Sequence, residues 1–137
     1  MRSKRPTVND LNTLGVTFCH AGAYDLAIAQ LAEAARLAPD AAVVRSNLGA
    51  AYYGKGRFAD AEREVRQSLE LVPTRAAIRR FHGRCLVRLG RLQEALEEFR
   101  WVLEHSPDTW EGRSAREEIW AIQGEEQPWP PVRVRST

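Results

Sequence analysis

The sequence predicts an all-α fold in which one helical hairpin is repeated three times. Between Ala42 and Pro73, apolar or small residues three or four positions apart form one face on each of two helical segments, with a loop-like break at residues 54–56. The same pattern recurs 34 residues earlier and 34 residues later without a gap. Because a single hairpin would leave its apolar face exposed, we expect the copies to stack.

The repeated positions follow a recognisable order of small, aromatic and proline residues. The equivalent residues are Leu14, Leu48 and His82; Gly15, Gly49 and Gly83; Phe18, Tyr52 and Leu86; Ala27, Ala61 and Ala95; Leu31, Val65 and Phe99; and Pro39, Pro73 and Pro107. This order resembles the tetratricopeptide repeat family, whose pattern is L-G-x-x-Y, then A-x-x-x-F, then P. The resemblance covers roughly Val8 to Asp108 and implies a right-handed superhelical solenoid.

Two departures from the family pattern stand out. The position of the family's early tryptophan is held by Leu11, Arg45 and Arg79, and His82 replaces the usual leucine. We therefore expect the third copy to pack less tightly at its first helix.

The chain begins with residues 1–6, a basic segment that we expect to be mobile. Thr7 can then cap the first helix, with Asp10 at the positive end of the helix dipole. The first copy continues as a helix to about His20 and as a second helix from Tyr24 to about Ala38.

The three copies together span residues 7–108, in phase as 8–41, 42–75 and 76–109. Asp40 and Thr74 stand just ahead of the second and third copies, where their side-chain oxygens are expected to cap free amides. The third copy is predicted to contain helices around 75–89 and 92–105.

A further amphipathic helix is predicted over residues 109–124, with Asp108 or Thr109 as its cap and Gly124 as its stop. It resembles the helix that closes many arrays of this family. Prolines surround Trp129 in the tail, residues 125–137, and favour an extended segment. Trp101 is expected to face outward, so one hypothesis is that the tail covers it or binds a neighbouring molecule. The alternative is a disordered tail.

Composition points to one small domain or a short repeat array, at 137 residues and 44% hydrophobic. The formal charge of +2, from 20 basic and 18 acidic residues, gives the whole molecule no strong attraction to nucleic acid or membranes. A whole hairpin separates Cys19 from Cys85, so we expect no disulfide. Unpaired thiols, together with the lack of a signal-like or membrane-spanning apolar run, predict a cytoplasmic location.

No sequence motif for catalysis is found, whether G-x-S-x-G, H-E-x-x-H, the phosphate loop or paired C-x-x-C. We therefore predict a protein that is not an enzyme and has no cofactor. His82 and Cys85 lie three positions apart and could contact one ion, but a structural metal site needs four ligands. We interpret both as packing residues.

The family resemblance implies a binding surface, because the first helices of such arrays line a concave groove that binds extended or helical peptides. Its positions in this chain include Asn12, Val16, His20, Asn47, Ala50, Tyr53, Arg80, Arg84 and Arg88. The three arginines are spaced four apart and form a row on one helix face. Beside Tyr53, they could bind a carboxylate through bidentate hydrogen bonds. Alternatively, they are solvated or pair with Glu111 and Glu118 of the terminal helix.

One subtype of the family clamps the carboxylate tail of chaperones with five lysine, asparagine and arginine side chains. Only Asn47 matches that set. The other four positions hold Asn12, Val16, Ala77 and Phe81. We therefore do not expect chaperone-tail recognition of that kind.

These observations favour a non-catalytic adaptor or scaffold that binds a protein or peptide segment, acidic or carboxylate-bearing, in the groove. The alternative is self-association into a homo-oligomer through the terminal helix and the tail, using Trp101, Trp120 and Trp129. Nucleic-acid binding through the basic residues is a third hypothesis, which the near-balanced charge and the lack of a predicted stacking platform disfavour.

Overall fold

The computed structural model describes residues 5–124, and this part of the chain contains helices and no strand. The helices are α1 (Val8–His20), α2 (Tyr24–Leu37), α3 (Ala42–Lys55), α4 (Phe58–Leu71), α5 (Ala76–Arg88), α6 (Leu92–His105) and α7 (Trp110–Gln123). Across the described range, every helix is too short or too polar to cross a lipid bilayer.

Consecutive helices pack against one another throughout the described range. The pairs α1–α2, α3–α4 and α5–α6 are the three predicted hairpins, and α7 packs against α6. First helices also meet, α1 with α3 and α5 with α7. The fold is therefore the predicted all-α solenoid of three hairpins followed by one more helix.

The outermost helix ends follow the predicted capping chemistry. The backbone N–H of Asp10 donates to Thr7 Oγ1 over 3.1 Å, and the Asp10 carboxylate accepts from the N–H of Thr7 over 2.9 Å. This capping box lowers the pKa of the Asp10 carboxyl, chiefly through its bond to the Thr7 backbone. Of the two candidate caps before α7, the structure uses Thr109, whose hydroxyl accepts from Gly112 N–H over 3.1 Å. Gly124 ends α7 with a φ of 69°.

The expected caps at Asp40 and Thr74 are wrong. The N-cap residues are Ala41 and Arg75, and neither helix start has a side-chain capping bond. The reason lies in the preceding turns, where the backbone N–H groups of these two residues donate to carbonyls three positions back, over 3.1 and 3.2 Å. Asp40 and Thr74 thus lie inside a turn, one position too early to cap.

An arginine secures each of these turns instead. Arg45 donates through Nε to the carbonyl of Pro39 and through a terminal nitrogen to Glu64, both over 2.9 Å. The arrangement is repeated 34 residues on, where Arg79 binds the equivalent carbonyl and, over 3.2 Å, Glu98. These arginines occupy the position of the family's tryptophan. Their hydrogen bonds connect the turn to the second helix of the hairpin.

Each hairpin depends on one close approach between its two helices. A glycine on the first helix lies against a buried side chain on the second, and a methyl group added to it would come closer than 3.0 Å to that side chain. The pairs are Gly15 with Leu31, Gly49 with Val65, and Gly83 with Phe99. Leu31, Val65 and Phe99 are all fully buried. These glycines therefore allow the two helices of each hairpin to approach closely.

A polar network, rather than loose packing, occupies the His82 position. One ring nitrogen lies 3.3 Å from a carboxylate oxygen of Glu62 on α4, and the other lies 3.1 Å from Glu98 on α6. Arg91 binds the second oxygen of Glu62 over 3.0 Å, and Arg79 binds Glu98. Glu62 is only 4% exposed, so these partners offset the cost of burying its charge. The network joins the second and third hairpins.

The expectation that Trp101 is exposed is also wrong. It is half-buried, with the Arg79 guanidinium carbon 4.2 Å from its ring centroid and the His105 ring stacked on it at 4.1 Å. Trp120 is half-buried as well. Trp129, and with it the predicted fold-back of the tail, lies outside the described residues.

The two cysteines are unpaired, as expected, and differ in burial. Cys19 is half-buried and Cys85 is fully buried. Burial raises the pKa of both thiols, that of Cys85 to about 12. Because the thiolate is the reactive form, both cysteines should be poor nucleophiles near neutral pH.

Replacing Gly83 with alanine should lower the free energy of unfolding by about 1–2 kcal/mol, because the new methyl group would overlap the Phe99 ring in a filled core. Urea denaturation followed by circular dichroism measures the change. Gly54→Ala is the comparison, since its added methyl group would meet the ring of the half-buried Tyr24 and not a fully buried side chain, so it should cost less stability. A gain in stability for Gly83→Ala, as helix propensity alone predicts, would contradict the close approach.

Replacing His82 with alanine should cost roughly 1–3 kcal/mol of stability, because the buried Glu62 and the half-buried Glu98 each lose a hydrogen-bond partner. The exposed His20 gives the control, and His20→Ala should change the unfolding midpoint little. Equal effects of the two substitutions would show that the network adds nothing to stability.

An aromatic disulfide reagent at pH 8 should label Cys19 slowly in the native protein and reach Cys85 only on unfolding, because Cys85 is buried and its pKa is about 12. Absorbance of the released thiolate counts the reacted groups. Cys19→Ser should remove the native signal. Rapid release of two equivalents without denaturant would contradict the burial of Cys85.

Candidate functional site

Side chains of the first helices and of α7 meet one another and form a continuous surface, called here the first-helix face. On α1 and α3, Asn47 donates its side-chain amide to Asn12 over 2.9 Å. Between α5 and α7, Arg80 Nε donates to the Ser114 hydroxyl over 2.9 Å. These pairs lie 35 and 34 residues apart in sequence, so the stacking of hairpins creates them.

The arginine row on α5 lies on this face, and each of its guanidinium groups lies over an aromatic ring. The distances from guanidinium carbon to ring centroid are 4.7 Å for Arg80 over Trp110, 5.4 Å for Arg84 over Tyr53, and 4.6 Å for Arg88 over Phe58. Three different helices supply these rings. Tyr53 also packs edge-on against Phe58 at 5.1 Å. Cation–π contact holds the arginine side chains in place while their polar edges stay available for hydrogen bonds.

The arginines differ in their polar partners, and the structure contains only part of the predicted pairing with Glu111 and Glu118. Glu118 of α7 lies 4.0 Å from Arg84 Nε, whereas Arg80 pairs with a hydroxyl and not with Glu111. Within residues 5–124, Arg88 has no carboxylate within ion-pairing distance. Burial, followed by repulsion from Arg84, lowers the pKa of Arg80. The row thus combines one half-buried cation, one loosely paired cation and one unpaired cation.

A small cleft opens at Arg84 and Arg88, the last two arginines of the row. Its walls are Tyr53, Arg84, Val87, Arg88 and Glu118, and its volume is about 180 Å³. The Arg84 and Glu118 side chains keep 39% and 30% of their surface exposed. The cleft is therefore an open site with an aromatic wall, an aliphatic wall, two cations and one anion.

The other predicted groove residues contribute less to this site. Val16 is half-buried, and His20 and Ala50 are exposed, but none of them lines the cleft. Asn12 and Asn47 are brought together, and their mutual hydrogen bond occupies one donor and one acceptor. The charged and aromatic side chains of the first-helix face are thus concentrated at the third hairpin.

The sequence reasoning missed Phe58 and Trp110 as the rings under Arg88 and Arg80. Phe58 starts a second helix, and Trp110 starts α7, so neither occupies a groove position of the repeat pattern. The one available signal in the sequence was the position of Trp110, which directly follows the two candidate caps Asp108 and Thr109.

The residues suggested as metal ligands are engaged elsewhere. Both His82 ring nitrogens face carboxylates, and burial keeps Cys85 in its neutral form. No group of three or more histidine, cysteine or acidic side chains in the described range is arranged to hold an ion.

Several solved structures have a similar fold. The first domain of Spaghetti (RPAP3) bound to the HSP90 peptide SRMEEVD is 24% identical, with a TM-score of 0.80 over 90% of this chain and 96% of that one. MamA AMB-1 is 31% identical, with a TM-score of 0.67 over 72% and 58%. The Yersinia enterocolitica type III secretion translocator chaperone SycD is 17% identical, with a TM-score of 0.79 over 89% and 87%.

A search of curated proteins gives no significant match. The family model of the tetratricopeptide repeat, by contrast, matches residues 7–74 and again 40–108. Together these matches cover most of the chain, and they coincide with the three hairpins α1 to α6. The chain therefore belongs to the tetratricopeptide repeat family.

Proposed function

We propose that this protein is a non-catalytic interaction module that binds an acidic segment of a partner protein along the first-helix face. The arginine row carries this proposal. Its three guanidinium groups lie on aromatic rings at 4.6–5.4 Å, and Arg88 has no ion pair in the described part of the chain. A cation that is held in place but unpaired is ready to bind a carboxylate with little loss of side-chain entropy.

Charge and shape agree with an extended acidic ligand. The row follows one face of α5, and Asn47 on α3 keeps one amide N–H free of its bond to Asn12, which can serve a peptide carbonyl. The family's members with solved ligands include the Spaghetti domain with its acidic HSP90 peptide. This chain matches the chaperone-clamping residues only at Asn47, so we propose an acidic partner of another kind.

Self-association is the less supported candidate. Arg79 and His105 cover Trp101, which removes the exposed tryptophan that favoured it. The predicted cytoplasmic location and the adaptor or scaffold role stay predictions.

Replacing Arg88 with glutamine should weaken binding of an acidic probe about tenfold, because one charge-assisted contact worth roughly 1.4 kcal/mol is lost. The probe is a dye-labelled hexaglutamate peptide capped at both ends, and fluorescence anisotropy at low salt measures its Kd. A hexaglutamine peptide serves as the neutral probe and should bind at least tenfold more weakly than the acidic one, a difference in binding free energy of at least about 1.4 kcal/mol.

Arg36→Gln is the control, since it removes the same charge from an exposed arginine of α2 that pairs with Glu33. It should leave the Kd nearly unchanged. Equal weakening by both substitutions would mean that only net charge matters, and failure of the wild type to bind the acidic probe would refute the proposal. Light scattering at the same concentrations tests self-association.

A further inference from the structure

The cleft at Arg84 and Arg88 contains a carboxylate that belongs to the protein itself. Glu118 projects from α7 into the cleft that these two arginines line. It is the single acidic residue among the lining side chains. An anion therefore already stands where the proposed function requires a ligand's carboxylate to bind.

The contact between Glu118 and Arg84 is loose. Its N–O distance is 4.0 Å, whereas the ion pairs Arg45–Glu64 and Arg91–Glu94 close to 2.9 and 2.6 Å. Charge-assisted hydrogen bonds are normally about 2.7–2.9 Å long. Glu118 is thus close enough to lower the positive potential of the cleft, but it does not satisfy the guanidinium group.

We propose that this cleft is a subsite for one aspartate or glutamate side chain of the partner, and that Glu118 is an internal competitor for it. This inference rests on the proposed function and specifies where an acidic side chain of the ligand binds. The incoming carboxylate binds the free edge of Arg88 and takes the place of Glu118 at Arg84.

The dimensions and walls of the cleft fit that ligand. A volume of about 180 Å³ is below the roughly 300–1,000 Å³ of pockets that hold whole small molecules, so it suits a single side chain. Tyr53 and Val87 offer apolar contact to the methylene groups of an acidic side chain. The two guanidinium groups lie over the rings of Tyr53 and Phe58, a contact that leaves their N–H groups available for hydrogen bonds to the ligand.

Competition by Glu118 has a measurable consequence. An exposed ion pair is worth up to about 1 kcal/mol, so removing the internal carboxylate should strengthen binding of the hexaglutamate probe by up to about fivefold. Glu118→Gln keeps the size of the side chain and removes its charge. The hexaglutamine probe has no carboxylate to compete, and its binding should not change.

Glu117→Gln is the matched control, because it removes the same charge from the same helix at an exposed position that does not line the cleft. It should change the Kd by less than about 1.5-fold, since its charge is screened. Arg84→Gln gives the coupling test. If Glu118 acts through Arg84, adding Glu118→Gln to Arg84→Gln should produce little further gain, a departure from additivity that a double-mutant cycle measures.

The outcomes separate this inference from the function on which it rests. Stronger binding by Glu118→Gln alone, lost in the Arg84→Gln background, supports the internal competitor. Acidic-probe binding that is equal in wild type, Glu118→Gln and Glu117→Gln overturns the competitor and leaves the acidic-segment function standing. If Glu118→Gln and Glu117→Gln strengthen binding of the acidic probe equally, net charge alone explains the effect, and the internal competitor is again overturned. If neither wild type nor Glu118→Gln binds the acidic probe, both proposals fail.

Discussion

The closeness of the two helices within each hairpin is the constraint on which the rest of the structure depends. A glycine of the first helix lies directly under a fully buried side chain of the second, as Gly83 does under Phe99. With any larger residue the helices would have to separate, and the buried side chain would lose its contacts in a close-packed core. The repetition of this contact three times at one period is what makes the hairpins alike enough to stack.

Polar contacts then fix the third hairpin relative to the second. His82 lies between Glu62 and Glu98, which come from the helices on either side of α5. Such a network is a weak source of net stability, because burying charges is costly, but it is satisfied in only one arrangement of the helices. It therefore orients α5, and the orientation of α5 determines where its arginines point.

The arrangement of the first-helix face follows from that orientation. Rings supplied by α3, α4 and α7 lie under successive arginines of α5, and α7 adds both the Ser114 hydroxyl and the Glu118 carboxylate. The terminal helix thus does more than cover the last hairpin, since it forms one wall of the cleft and places a negative charge in it. A repeat surface of ordinary net charge obtains a local cationic cleft in this way.

Local sequence patterns determined the hairpins, their period and the cap at Thr7, and they limited the cap of α7 to Asp108 or Thr109, because helix periodicity and capping act over a few neighbouring residues. They also placed the arginine row on one face. Only the tertiary structure decided that Arg79 covers Trp101 and which side chains each arginine of the row contacts. Those contacts join side chains from different helices, often some 30 residues apart, and their geometry depends on how the hairpins stack, which no local pattern encodes.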